Sequence, residues 1–109
     1  MDYQFKVTPL FENQFKRLVK KFPSLRSDIK LLRDLLADNP FLGDDLGKNC
    51  YKIRLSIKSK GKGKRGGARV ITHCYIEKRT IFFLSIYDKS EKLSISDSEL
   101  TQLLKYIHD

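Results

Sequence analysis

The sequence has no tryptophan, one methionine, three prolines and two cysteines, Cys50 and Cys74, among its 109 residues. Two thiols are too few for a disulfide-built secreted scaffold or a self-contained zinc site, so a reduced, cytoplasmic protein is expected. No apolar run approaches the roughly 18 residues of a membrane-spanning helix, so no membrane partner is expected. Met1 leads almost directly into a mixed polar segment rather than a signal peptide. The length suits one domain over residues 1–109, and 40% apolar residues suffice for one small core. A disordered tail and a doubly wound nucleotide-binding fold are both excluded.

The most telling shortage is of negative charge. Residues 46–76 carry nine Lys or Arg and no Asp or Glu. Residues 1–45 carry eight basic and seven acidic side chains, and residues 77–109 carry five and six. The whole formal charge of +9 therefore belongs to one 31-residue segment. An acid-free block centred on one loop reads as a footprint for a polyanion. A basic loop without a ligand, or a surface for an acidic protein, stays open. The same shortage argues against a two-metal nuclease. His73 and His108 have no Cys, Asp or Glu at metal-ligand spacing, so neither metal nor cofactor is expected.

What is present divides into seven elements. Tyr3, Phe5 and Val7 alternate with polar residues as a short strand. Thr8 then offers an N-cap and Pro9 a first helical position. Phe11, Phe15, Leu18, Val19 and Phe22 follow at helical spacing; Pro23 stops this helix and Ser24 can cap the next. Leu25, Ile29, Leu32 and Leu36 form its stripe, with Leu31 and Leu35 beside it, until Asn39-Pro40. Gly43 and Gly47 mark a loop. Tyr51, Ile53, Leu55 and Ile57 alternate with Lys52, Arg54, Ser56 and Lys58, a half-buried strand with a basic face. After the glycine-rich turn Ser59 to Gly67, two further strands run from Arg69 to Ile76 and from Thr80 to Tyr87. Ser96 and Glu99 have capping-box spacing ahead of Leu100, Leu103, Leu104 and Ile107. The expected layout is β-α-α-β-β-β-α. This is an α+β fold with helices on one face of a small antiparallel sheet and the other face partly open.

Strand parity sets Lys52 and Arg54 on one face, and Arg69 opens the neighbouring strand. If these strands pair as a hairpin, the three cations converge on one phosphate-sized site. Such a cluster can position an RNA phosphate and stabilise the charge of a pentacoordinate transition state. A lysine crowded by cations can have a lowered pKa and accept a proton. Simple backbone binding by solvated lysines needs no cleavage and is the plainer reading of these residues. The loop from Lys60 to Gly67 lacks Walker A spacing. Its glycines allow close approach to a backbone, while Lys58, Lys60, Lys62, Lys64 and Arg65 supply charge for RNA contact. His73 shares parity with Arg69, although a structural histidine is the plainer reading. Cys50 and Cys74 read as small sheet residues. Lys89, just past the third strand, can add a phosphate contact; Tyr87 can face the site or complete a hydrophobic edge.

The runs Tyr51-Lys52-Ile53-Arg54-Leu55 and Lys60-Gly61-Lys62-Gly63-Lys64-Arg65-Gly66-Gly67-Ala68-Arg69-Val70-Ile71 resemble the HigB-like branch of the RelE/ParE toxin superfamily. The segment Leu84 to Lys92 resembles that family's C-terminal signature, so the resemblance covers nearly the whole chain. It implies a RelE-like microbial-ribonuclease fold. It also implies the toxin of a type II toxin–antitoxin system, a messenger-RNA interferase acting on the ribosome. By this resemblance Lys52 and Arg54 match two basic strand positions, and Arg69 matches the arginine on the scissile phosphate. Lys89 falls near a second arginine of the family that helps stabilise the transition state, so the resemblance implies a catalytic set of Lys52, Arg54, Arg69 and Lys89, with Lys89 assisting at the leaving side. Ile95 lies where the family carries a tyrosine, so the general base stays open, with Tyr87 and His73 as auxiliaries. The implied partners are a cognate antitoxin, the ribosome with its messenger and ribosomal RNA, and DNA only through the antitoxin. The implied reaction is metal-independent attack of the RNA 2′-hydroxyl on the adjacent phosphate. A gyrase-directed ParE-like toxin and a noncatalytic RNA-binding module are the alternatives.

Overall fold

The computed structural model describes residues 2–107; His108 lies outside the described residues. The element order is β1 (Gln4–Val7), α1 (Pro9–Lys21), α2 (Leu25–Asp38), β2 (Asp44–Gly47), β3 (Cys50–Leu55), β4 (Ala68–Tyr75), β5 (Thr80–Asp88) and α3 (Asp97–Leu104). The strands form one sheet in the order β1-β5-β4-β3-β2. The α+β expectation holds, with two refinements. β1 runs parallel to β5, because the α1–α2 hairpin and the strands that follow intervene before β5 is reached. Residues read as loop form β2, which closes onto β3 through Lys48 and Asn49, both left-handed with φ of 56° and 59°. Two consecutive left-handed residues make the tight hairpin turn that matches strand twist. β2 is short and carries Asp44 and Asp45, which keeps this sheet edge from pairing indiscriminately.

Each helix starts where a polar side chain answers a free backbone N–H or fixes the turn before it. Thr8 Oγ1 accepts from the Phe11 N–H at 3.1 Å and donates to the Leu84 carbonyl at 3.1 Å, so the cap also pins α1 to β5. Ser96 and Glu99 form the expected capping box of α3. Ser24 occupies the N-cap position of α2 but does not cap it. Its hydroxyl donates to Asp28 Oδ2 at 2.8 Å and accepts from the Ser59 N–H at 2.8 Å, tying α2 to the start of the basic loop.

The larger core lies between the α1–α2 hairpin and one sheet face. Leu18, Leu25, Leu32 and Leu36 meet Ile53, Leu55, Val70, Ile81 and Phe83 there. α3 lies on the opposite face, which corrects the expectation that all helices share one face, while the rest of that face stays open, as expected, with Arg54 exposed. α3 packs Leu100 and Leu103 onto Cys50, Ile71, Leu84 and Tyr87. α3 is only eight residues long, too short to hold itself in water, so this burial stabilises it.

The register between β4 and β5 explains how one strand feeds two cores. Ile71 faces Ser85 and Thr72 faces Phe83, which leaves Leu84 as the extra residue of a β-bulge. Before the bulge Ile81 and Phe83 point to the helical hairpin; after it Ile86 does so, three positions from Phe83. Leu84 and Tyr87, also three apart, point to α3. Uninterrupted alternation would have put Tyr87 on the side of Phe83. Gln14 of α1 holds the irregularity. Its Oε1 accepts from the Ile86 N–H at 3.0 Å and from the Ser85 hydroxyl at 3.1 Å.

Gln14→Leu removes that acceptor and leaves a half-buried N–H unpaired. Denaturant unfolding is expected to show a loss of about 1–3 kcal/mol. Gly67→Ala is expected to be at least as costly, since a Cβ there would lie 2.0 Å from the Leu55 carbonyl oxygen. A wild-type midpoint for either variant contradicts the assigned contact.

Candidate functional site

β3 and β4 pair antiparallel with Arg54 directly opposite Arg69, and β4 pairs with β5 so that Arg69 lies opposite Tyr87. One transverse row, Arg54–Arg69–Tyr87, thus crosses three strands. Lys52 stands two residues along β3 from Arg54, opposite Ile71. This is the hairpin that the parity argument required. The chain keeps two arginines side by side on a sheet at a cost in Coulomb repulsion that an anion between them would remove.

The members of the row differ in environment. Arg54 is exposed and Lys52 half-buried. Arg69 is 5% exposed, and its Nη1 donates to the Lys64 carbonyl at 2.9 Å and to the Ala68 carbonyl at 3.1 Å. It therefore ties the end of the basic loop to the sheet. Tyr87 is also 5% exposed, and its hydroxyl has no hydrogen-bond partner among the described residues. Burial raises the Tyr87 pKa; the positive charge of Arg69 opposes this and Glu99 adds to it. A phenol shifted upward is a weaker proton donor than an ordinary tyrosine. Lys92 lies over the Tyr87 ring at 5.8 Å and is ion-paired to Glu99 of α3, so the C-terminal segment is laid across this end of the row.

Two hollows flank the row. The larger, about 530 Å³, runs between α2 and β3. Leu31, Leu35, Leu42 and Ile53 line it, and Lys52, Arg54, Lys58 and Lys64 edge it. Leu31 and Leu35, read from the sequence as lying beside the α2 stripe, are 53% and 58% exposed along this groove. The smaller hollow, about 320 Å³, gathers Lys60, Lys62, Gly66, Lys89 and Ser90. Lys89 thus lines a different hollow from Lys52 and Arg54. Arg65 is exposed on the loop.

His73 is not brought to the row. It sits opposite Cys50, four positions along β4 from Arg69, with Nδ1 3.5 Å from Cys50 Sγ. Burial lowers the His73 pKa and pushes the Cys50 thiol up to about 12. A neutral imidazole beside a protonated thiol is a packing pair rather than an activated nucleophile. Both cysteines are free and buried, as expected.

The residue that sequence reasoning passed over is Asp88. The basic block has no carboxylate of its own, yet the β4–β5 register brings this one beneath it. Asp88 is 1% exposed, and its Oδ1 accepts from Lys60 Nζ at 2.5 Å and from the Ser90 N–H at 3.0 Å. Burial by itself would raise the Asp88 pKa, but the hydrogen bonds from Lys60 and Ser90 outweigh it and hold the carboxyl below its ordinary value. The available signal was an acidic residue closing an otherwise apolar strand, which the buried end of a strand tolerates only with a partner.

A family model described as the RelE toxin of the RelE/RelB toxin–antitoxin system matches residues 10–108. Among solved structures, a double arginine-to-alanine variant of Escherichia coli toxin RelE in the free state superposes with a TM-score of 0.66 at 18% identity, covering 99% of this chain and 100% of that one. The isolated E. coli RelE toxin gives 0.61 at 17% identity, covering 96% and 99%. The intact E. coli RelBE toxin–antitoxin complex gives 0.60 at 19% identity, covering 79% and 95%.

A lowered folded-state pKa makes Asp88 stabilising above the ordinary carboxylate value of 3.8, with the contribution lost as the pH falls through the folded value. Asp88→Asn leaves Lys60, whose side chain is only 12% exposed, without its counter-charge. It is expected to cost on the order of 3 kcal/mol at pH 7. Denaturant titrations at pH 7 and near pH 3 should show the gap between variant and wild type narrowing in acid. A gap that is constant with pH contradicts an ionised Asp88.

Proposed function

Since this chain belongs to the RelE family of toxins from toxin–antitoxin systems, we propose that it is a ribosome-dependent messenger-RNA endoribonuclease that arrests translation. The observation that carries the reading is the Arg54–Arg69 pair, two cross-strand cations side by side on one sheet face with Lys52 two residues away on β3. The runs Tyr51 to Leu55 and Lys60 to Ile71 favour the HigB-like branch, with residues 1–109 as one toxin domain.

The reaction needs no group from outside the RNA other than proton carriers. The ribose 2′-oxygen forms a bond to the adjacent phosphorus, the bond to the 5′-oxygen breaks, and the products are a 2′,3′-cyclic phosphate and a 5′-hydroxyl. Arg54 and Arg69 hold the non-bridging oxygens, whose charge grows in the transition state. Charged donors already aimed at such oxygens lower the barrier most, because nothing has to reorganise as the charge develops. Lys52, close by on β3, electrostatically favours loss of the 2′-hydroxyl proton, which passes to water. The leaving 5′-oxygen takes its proton from water, since the Tyr87 hydroxyl is buried beneath α3. The ribosome orients the messenger, so the chain itself supplies few acid–base groups. Lys58, Lys62, Lys64 and Arg65 hold RNA backbone, ribosomal RNA included, whereas Lys60 is turned onto Asp88.

The chain is also expected to bind a cognate antitoxin protein and to meet DNA only through it. The groove beside α2, apolar along Leu31 and Leu35 and edged by four cations together with Asp28 and Asp44, suits an amphipathic segment of that antitoxin. No described helix is long and apolar enough to cross a membrane.

End-mapping of messenger RNA after expression tests the reading. Ribosome-dependent breaks ending in 2′,3′-cyclic phosphates are expected. Arg54→Ala, an exposed change, should lower the cleavage rate about 100-fold or more. Arg69→Lys should lower it too, because a lysine keeps the charge but loses the planar fork. Intact transcripts with inhibited DNA supercoiling would instead indicate a gyrase-directed toxin. RNA association without cleavage or toxicity would indicate a noncatalytic binding module.

A further inference from the structure

The basic block is divided in two. Lys52, Arg54, Lys58 and Lys64 edge the groove beside α2, whereas Lys60, Lys62 and Lys89 meet around the smaller hollow. We infer that Lys62 and Lys89 form a second phosphodiester subsite, braced by the Lys60–Asp88 pair, which grips RNA backbone away from the bond that the Arg54–Arg69 row breaks. This inference rests on the nucleic-acid reading above.

Three features build the subsite. Asp88 neutralises Lys60 and fixes it, so Lys60 serves as a wall rather than as a free cation. Lys62 is folded over Gly66, where a Cβ would lie 2.6 Å from Lys62 Cβ. Only glycine lets the loop turn back so closely. On the other side the Lys89 N–H donates to the Gly67 carbonyl at 3.1 Å, which carries the β4–β5 ladder one residue further and sets Lys89 across from the loop. Lys62 and Lys89 therefore reach the same hollow from two separately constrained stretches of backbone.

Among the described residues, no carboxylate lines this hollow to neutralise them. Asp88 is committed to Lys60 and Ser90, and the next acidic residue, Glu91, pairs with Arg17 at 3.3 Å. Two ammonium groups held in one concavity of about 320 Å³ repel each other until an anion enters. A lysine is a point charge without a fork, so the fitting ligand is a singly charged backbone phosphate rather than a base edge. Lys89 accordingly holds RNA instead of serving the leaving side of the reaction.

The test is a double-mutant cycle on the full-length chain, read as affinity for a fluorescent RNA oligonucleotide whose riboses are 2′-O-methylated and cannot be cut. Lys62→Ala and Lys89→Ala together are expected to weaken binding by about tenfold. They should flatten the plot of log affinity against log salt by about 0.7, one single-strand phosphate. Because they share that phosphate, the two substitutions should be non-additive with each other and additive with Arg54→Ala. Asp88→Asn, which frees Lys60, should reduce the coupling between Lys62 and Lys89. Vacant and messenger-programmed ribosomes then separate the sources: coupling on both assigns the phosphate to ribosomal RNA, and coupling on programmed ribosomes alone assigns it to the messenger. Coupling of Lys89 to Arg54 but not to Lys62, or an unchanged salt slope, overturns the subsite while leaving the nuclease reading intact. Wild-type protein that binds neither the oligonucleotide nor ribosomes in a salt-dependent way overturns both.

Discussion

The functional face depends on one irregularity in β5. The extra residue at Leu84 lets a single strand send Phe83 and Ile86 into the helical-hairpin core and Leu84 and Tyr87 into the α3 core. A bulge breaks a stretch of ladder, and the freed groups must be answered. Gln14 answers them from α1, and Thr8 fastens the start of the same helix to the Leu84 carbonyl. Two polar side chains at the beginning of α1 thus decide which way a tyrosine some seventy residues later points. With Tyr87 turned, α3 gains an apolar seat, and the row beginning at Arg54 and Arg69 gains its third member.

Electrostatics sets the second constraint. A segment with a net charge of +9 on 31 residues repels itself when folded into a loop and hairpin. The fold relieves this in two ways. Asp88, buried at the end of β5, takes Lys60 and anchors the start of the loop. Arg69 commits donors to the Lys64 and Ala68 carbonyls, so its charged group also serves to close the loop. Of the remaining cations, Lys52, Arg54, Lys58 and Lys64 edge one hollow and Lys62 lines another, while Arg65 stays exposed on the loop. Cations held by backbone constraint rather than by counter-ions are preorganised for a ligand that supplies the missing charge.

Much of this was legible in the residues. Thr8-Pro9 and the Ser96–Glu99 pair announced two helix starts because capping is local chemistry, settled within four residues. The alternation from Tyr51 to Leu55 announced a strand with a basic face, and the hairpin with Arg69 followed from it. Ser24 resembled a cap and was not one, since Asp28 and Ser59 competed for its hydroxyl. β2 was missed because a Lys-Asn turn carries a weaker signature than Asn-Gly. The expectation that all helices share one face failed for a related reason: nothing in α3 says which face it will cover, only that it has an apolar stripe.

Where the charge lies, which stretches other than β2 are helix and strand, and that Lys52 and Arg54 share a face with Arg69 beside them were written in the chain. These follow from composition and from periods of 2 and 3.6 residues. The fold family was also within reach through two short runs. Tertiary packing was needed to bring Tyr87 to that face, to set Asp88 beneath the basic loop, and to stand Lys89 with Lys62 rather than with Arg54. The reason is physical. Periodicity propagates along a strand only while the ladder is unbroken, and a bulge resets it by one residue. Pairing between charges distant in the chain depends on register, which is fixed by burial on both faces of the sheet at once.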